Sequence, residues 1–251
     1  MKKKILIGLL LFVVFIIILA PASLIKNLSS KQELVLLRGF SGTLWSGEIA
    51  SVSARKLSLE DVKYDIKVLP LFWAMFSVDL DISKGDIKGS LTFSADQNFQ
   101  ISHSVNNANI RFDAKLLENF VNTMGAKIGG NVSTSELDIT IDKGKPSFLE
   151  GVTRWRNASV NFAGQNLSLG DFSVRFMTNE KNGDIKGRLE KGKNILDLQG
   201  EVTLAKSGEL EFIGSASSQI DKGLLMAVSM YKNGNEANGR IPIKFKQKLF
   251  K

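Results

Sequence analysis

The chain has 251 residues, no cysteine, a single histidine and a formal net charge of +8. That length holds a sizeable core in one domain or two small ones, and the cysteine count excludes disulfides, thiolate metal sites and cysteine nucleophiles. Lys2, Lys3 and Lys4, with the basic residues of the tail Arg240 to Lys251, account for the whole excess charge, so the body is neutral and lacks the basic face a nucleic-acid binder needs.

The first predicted element is the uncharged run "ILIGLLLFVVFIIILA", Ile5 to Ala20, which extends with small interruptions to Ile25. About 20 apolar residues span a bilayer as a helix. The lysines of "MKKK" orient residues 1–4 to the cytoplasm. The run predicts a signal anchor over 5–25 and a linker over 26–33. The spacing Ala20-Pro21-Ala22 also fits a signal-peptide cleavage site, although the apolar run is longer than a typical cleavable core. On either reading the rest of the chain, 34–251, lies across the membrane, which in a bacterium is the periplasm.

Beyond the run the dominant period is two. "VKYDIKV" (Val62 to Val68) alternates apolar and polar residues, with Lys63, Asp65 and Lys67 on the wet face. "SVDLDI", "GSLTF", "ELDITI", "DFSVRF", "ILDLQGEVTL", "ELEFIG" and "IPIKF" continue the pattern, separated by turn sequences such as "SKGD", "DKGK" and "NEKNGD". Such alternation reads as short half-buried strands, and their spacing as an antiparallel meander of about 12–14 strands. Three segments break the period. "LPLFWAMF" predicts a buried helical turn after Pro70. "DAKLLENFVNTMG" predicts a helix over 113–124, capped by Asp113 and stopped at Gly125, with Leu116, Leu117, Phe120, Val121 and Met124 on one face. "DKGLLMAVSMY" predicts a shorter helix with Leu224, Leu225, Val228 and Tyr231 on one side. Two β blocks, 34–112 and 129–217, flank the middle helix. "GDIKGSL" (Gly85 to Leu91) recurs as "GDIKGRL" (Gly183 to Leu189), through a duplication or a favoured turn-strand sequence used twice.

The fold class is therefore mainly β: an N-terminal transmembrane helix, then an antiparallel meander with two or three short helices. The sheet's dry face must be covered by folding over as a sandwich, by closing, or by curving into an open apolar groove. A groove suits a lipid or an extended partner chain, and open strand edges suit a partner strand.

Chemistry-bearing patterns are scarce. His103, in "FQISHSV", lacks a G-x-S-x-G partner and reads as structural. Asp79 and Asp81 alternate with apolar residues, as a solvated strand face does. No phosphate loop, calcium loop or zinc spacing occurs. No catalytic, metal or cofactor-binding residue is expected, and no cofactor. Lys244, Lys246 and Lys248 alternate with apolar residues in the tail. They read as guards of an edge strand, or as a contact for anionic lipid or an acidic partner.

Several phrases, in order along the chain, resemble the type II secretion system protein N family. "GTLWSGEIASV" carries Gly42, Thr43, Trp45 and Gly47 of a tryptophan-centred opening, with Trp45 expected to be buried at the first hairpin. "VKYDIKVLPLFWAMF" carries Pro70 and Trp73, with Tyr64 where a tryptophan is expected. "GVTRWRNASV" and "LGDFSVRF" carry Trp155 and Gly170, and the closing "NGRIPIKF" carries Gly239 and Arg240. The resemblance implies a non-catalytic, single-pass inner-membrane accessory of the machine that exports folded proteins. Its partners would be other secretion subunits of the inner membrane or periplasm. The family is also similar to AsmA-like groove-forming envelope proteins, which implies lipid binding as the alternative.

Overall fold

The computed structural model describes residues 19–23, 35–54, 56–96, 102–119, 126–162, 165–190, 192 and 194–248. The chain divides into two compact units, Met1–Gln97 and Asn98–Lys251. Among the described residues no helix is long and apolar enough to cross a membrane. The run Ile5–Ile25 falls largely outside them, as does the linker 26–33.

The first unit is a meander of five strands: β1 (Val35–Gly42), β2 (Ser46–Ala54), β3 (Leu57–Ile66), β4 (Met75–Gly85) and β5 (Ile87–Asp96), with a one-turn helix α1 (Val68–Leu71) between β3 and β4. Each strand pairs antiparallel with its neighbour in sequence, and β1 and β5 do not pair with each other. Alternation chooses the dry face. Val62 and Tyr64 on β3 are buried with Ile49, Val78 and Ile82, while Lys63 and Asp65 between them are exposed. Ala22 joins this cluster from outside the sheet. Around it Leu37, Phe40, Val52, Leu59, Ile66, Phe76, Leu80 and Phe93 are only partly buried.

The second unit contains β6 (Ser102–Asp113), a 3-10 helix η1 (Ala114–Asn119), β7 (Lys127–Asp142), β8 (Lys145–Phe162), β9 (Gln165–Thr178), β10 (Ile185–Leu189), β11 (Gln199–Leu204), β12 (Glu209–Ser217), a helix α2 (Lys222–Ser229) and β13 (Arg240–Lys248). It too is an antiparallel meander in sequence order, so β6 and β13 do not pair. Neither unit is a sandwich or a closed barrel among the described residues. The helix expected over 113–124 is the 3-10 turn over 114–119 as far as it is described. Asp113 accepts from the Lys115 backbone N–H at 2.8 Å, while Phe120, Val121, Met124 and Gly125 lie outside the described residues.

Strands β7 and β8 run 16 and 18 residues, longer than the short strands that alternation suggests. Where the pattern breaks, the strand continues through a β-bulge, which inserts a residue without ending the ladder. Pairing of β6 with β7 shifts on both sides of Ala108, and that of β8 with β9 between Trp155 and Ala158. Asn107, Glu136 and Asn157 take positive φ at these places. Side chains satisfy the backbone there. The Asn107 N–H donates to Asp138 Oδ1 (2.6 Å), Glu136 N–H to Asn109 Oδ1 (3.1 Å) and Asn157 N–H to Asp171 Oδ1 (2.8 Å).

The two copies of "GDIKG" do the same local job. Gly85 and Gly183 take positive φ, and the isoleucine two residues on begins a strand, Ile87 in β5 and Ile185 in β10. The aspartate between them accepts a backbone N–H from another segment, Asp86 from Ser58 (2.7 Å) and Asp184 from Lys206 (3.1 Å).

Candidate functional site

The turn between β1 and β2 is built by the Gly42 to Gly47 motif. These two glycines face each other across the hairpin. A Cβ on Gly42 would stand 2.7 Å from the Ser46 carbonyl oxygen, and one on Gly47 2.1 Å from that of Ser41. The motif thus needs glycine at both places because the two backbones touch. Thr43 closes the turn: its N–H donates to the Ser46 carbonyl at 2.9 Å, and its Oγ1 accepts the Ser46 N–H at 3.1 Å. The buried Tyr64 donates its hydroxyl to the Thr43 carbonyl at 2.5 Å. Burial raises the Tyr64 phenol above its ordinary pKa, which keeps that donor protonated. Trp45 is half-buried, not buried as its sequence context suggests. It sits in the turn at the sheet end, and the aromatic that reaches the core here is Tyr64.

Two further segments meet this turn. Pro21 bridges Thr43, the Ala22 N–H donates to the Gly42 carbonyl at 3.2 Å, and the Leu44 N–H donates to the Ala20 carbonyl at 2.7 Å. On the other side the Ile66 N–H donates to the Trp45 carbonyl at 2.6 Å. The chain then leaves β3 through Lys67 into α1.

The α1 turn corrects a second expectation. Pro70 lies inside it, in the first turn where a missing N–H costs nothing. It is followed by Phe72, Trp73 and Ala74, whose N–H groups donate to the carbonyls of Leu69, Pro70 and Leu71 at 3.2, 3.0 and 3.0 Å. The segment is not buried. Leu69, Phe72 and Trp73 are 71%, 78% and 72% exposed, and Val68, Leu71 and Met75 are exposed as well. The turn leaves the end of β3 past the last β3–β4 pair, Ile66 with Val78, and none of its residues is buried. At its foot the Lys67 ammonium pairs with Asp79 at 3.1 Å, and Asp79 accepts the Thr92 hydroxyl at 2.6 Å.

The other motif positions fall in the second unit. Trp155, on β8, donates Nε1–H to the Gly129 carbonyl at 3.0 Å and lies 5.9 Å from the Phe172 ring. Gly170 pairs with Ala158 at positive φ and bridges Asn194. Gly239, also at positive φ, precedes Arg240. The Arg240 guanidinium contacts the Asp197 carboxylate, the Asp197 carbonyl (2.6 Å), Ser215 Oγ (2.8 Å) and the Ser215 carbonyl (3.0 Å). Sequence reasoning missed Asp197 and Ser215, which carry no motif of their own. Lys244 pairs with Glu211 at 3.0 Å and Lys246 with Glu209 at 2.6 Å, while Lys248 lies opposite Glu209 on β12. Hydrogen bonding to Glu209 raises the Lys246 pKa, and hydrogen bonding to Lys244 lowers that of Glu211.

Concavities in the second unit are charged. One of about 440 Å³ is lined by Arg188, Leu189, Gln199, Gly200, Glu201 and Ile213. His103 is half-buried on β6 opposite Ile141, and Asp79 and Asp81 remain solvent-facing. Among the described residues no three acidic, histidine or cysteine side chains converge as a metal site would need.

Comparison with known proteins bears on all of this surface. A family model described as Type II secretion system (T2SS), protein N, matches residues 33–244. The chain is 26% identical over 234 residues to Type II secretion system protein N of Pectobacterium carotovorum subsp. carotovorum, covering 88% of this chain and 87% of that one. It is 33% identical over 93 residues to Type II secretion system protein N of Aeromonas hydrophila, covering 36% of each. No solved structure matches.

Proposed function

The chain belongs to the type II secretion system protein N family, and from that premise we propose that it is an accessory, non-catalytic inner-membrane component of the secretion machinery. Residues 1–4 lie in the cytoplasm, and the single span starts at Ile5 and ends near Ala20. It stops short of the expected Ile25 because Ala20 to Ala22 are bonded to the first turn of the sheet and Ala22 is buried in its core. Residues 34–251 work in the periplasm through contacts with other secretion subunits of the inner membrane or periplasm. The observation that carries this reading is the family match over 33–244, which takes in strands β1 to β12 and most of β13. The lysines before the apolar run and the attachment of Ala20 to Ala22 at the sheet's first turn support the anchor. Gly42, Thr43, Gly47, Trp155, Gly170, Gly239 and Arg240 act in this reading by holding turns and strand ends, whereas Trp73 is exposed. A photo-crosslinking amino acid placed at exposed strand positions in intact cells should capture a secretion-system subunit. Capture of none, from a chain that complements secretion, would refute the reading.

A second reading is favoured by one observation. The apolar residues around the first unit's core, from Leu37 on β1 to Phe93 on β5, are only partly buried. An apolar sheet face left half-covered suits an acyl chain, as in an AsmA-like lipid binder. Native mass spectrometry of the gently solubilised chain tests it: lipid that remains bound supports this role, and a lipid-free spectrum sinks it.

A further inference from the structure

We infer that the α1 turn, Val68 to Met75, is a second membrane contact that dips into the surface of the same bilayer from which the chain emerges. The inference rests on the reading of the apolar run from Ile5 to Ala20 as a span.

Three observations converge. The segment "VLPLFWAM" contains no charged residue, and its large side chains point to solvent rather than to the core. An exposed apolar cluster of this kind marks an interaction surface. Tryptophan beside leucine and phenylalanine is the composition of the bilayer interface, where an amphipathic ring sits at headgroup level.

The second observation is where the turn sits. The Ala20 carbonyl, at the end of the uncharged run, binds the Leu44 N–H, and the next residue, Trp45, accepts the N–H of Ile66, two residues before α1. At about 3.8 Å per residue, this hydrogen-bonded path brings α1 within roughly 20 Å of the end of the run. A span that ends at Ala20 thus delivers this end of the sheet to the membrane surface. Leu19, on the same side of the attachment, is exposed as well.

Third, the turn is held ready. Pro70 fixes one φ, three consecutive backbone hydrogen bonds close the segment, and Ala74 holds a positive φ of 55°. Lys67 and Asp79 neutralise each other at its foot. A rigid apolar turn loses little conformational freedom when it inserts. Together with the span it would fix the sheet's orientation over the membrane, because a second contact on an already tethered chain forms at a high effective concentration.

The absence of cysteine makes the test direct. The full chain carrying Phe72→Cys is labelled with an environment-sensitive fluorophore and reconstituted into vesicles of phosphatidylethanolamine and phosphatidylglycerol. Lys88→Cys is the control; Lys88 is exposed near the start of β5, at the opposite end of β4 from α1. Phospholipids brominated near the headgroup should quench and blue-shift the label at position 72 severalfold more than the label at position 88. Equal, weak quenching at both positions, in protein that resists alkaline carbonate extraction, overturns the inference and leaves the anchor standing. A blue shift at position 72 without lipid quenching also overturns it, because a protein surface then covers the turn. Extraction by carbonate refutes the anchor itself, and the inference falls with it.

Discussion

Helices α1 and α2 are both short, apolar and placed between neighbouring antiparallel strands, yet one is exposed and the other is packed. In α2 the Asp221 side chain accepts the Gly223 N–H at 2.8 Å and starts the helix. Its two turns then lay Leu224 and Val228, 6% and 8% exposed, one above the other on the dry side. Val228 joins a core with Ala216 of β12 and Ile241 and Ile243 of β13. The α1 turn has no side-chain cap and no buried residue. The difference lies in the connection more than in the composition. The loop from Ser218 to Gly239 is long enough to fold a helix back over the sheet, whereas Lys67 to Ala74 only turns the chain from β3 into β4. Burial is thus decided by whether the backbone can reach an apolar face, and an apolar segment that cannot reach one is left for another surface.

The largest expected effect would break or confirm this contrast. Leu224→Ala should destabilise the chain by about 2–4 kcal/mol, the range for truncating a buried leucine. Phe72→Ala, which removes a larger side chain, should change stability by no more than about 0.5 kcal/mol. Denaturant titration of the two variants in the same detergent compares them, and equal losses would show that α1 packs on something after all.

Two intermediate effects probe how each helix is supported. Arg240 ties the start of β13 to Asp197 and Ser215, beneath the connection that carries α2. It is a mostly buried cation with four contacts, and Arg240→Ala should cost about 2–3 kcal/mol. Arg240→Lys should recover little of this, because an ammonium lacks the planar fork. At the α1 end, Tyr64→Phe removes the hydrogen bond to the Thr43 carbonyl and should cost about 1 kcal/mol. Thermal melts of the three variants rank them, and a Tyr64→Phe loss larger than that of Arg240→Ala would make the first turn the firmer of the two.

What the sequence conveys follows the same logic. Period-two alternation placed Val62 and Tyr64 inside and Lys63 and Asp65 outside, because a strand's two faces are set by neighbouring residues alone. The neighbour-to-neighbour meander was legible from the turn sequences, and α2 from its apolar spacing, although the helix ends at Ser229 and Tyr231 lies beyond it, exposed. The ordered motif phrases pointed to the family. Bulges were not legible: at Asn107 and Glu136 the broken alternation reads as a strand end, while "GVTRWRNASV" reads as one strand through Asn157, and only the partner strand's side chains reveal where the ladder shifts. Nor was the exposure of Trp73 or the half-burial of Trp45, since a tryptophan's apolar surface does not say whether a second layer exists to cover it. The Arg240 cluster joins residues from three places in the chain, which no local pattern connects.

The smallest effect concerns the foot of α1. The Asp79 carboxyl lies below its ordinary pKa, chiefly because Thr92 donates a hydrogen bond to it and also because Lys67 is beside it. A carboxylate whose pKa is lower folded than unfolded contributes stability that is complete above the unfolded value, about 3.9, and that is lost as the pH falls through the folded value. Thr92→Val removes the main cause and leaves Lys67 in place, so the loss should begin at a higher pH in that variant. Global unfolding is a poor reporter, because hydrogen bonds from Ser102 and Ser173 lower the carboxyls of Asp142 and Glu190 in the other unit in the same way. A fluorophore at position 72 in detergent reads the turn itself. Its acid-induced change should move to higher pH in Thr92→Val, while a label beside α2, introduced by Met230→Cys, keeps its profile. An unmoved transition at position 72 would mean that Lys67 and Asp79 do not brace the turn, and that backbone closure and Pro70 alone hold it in place.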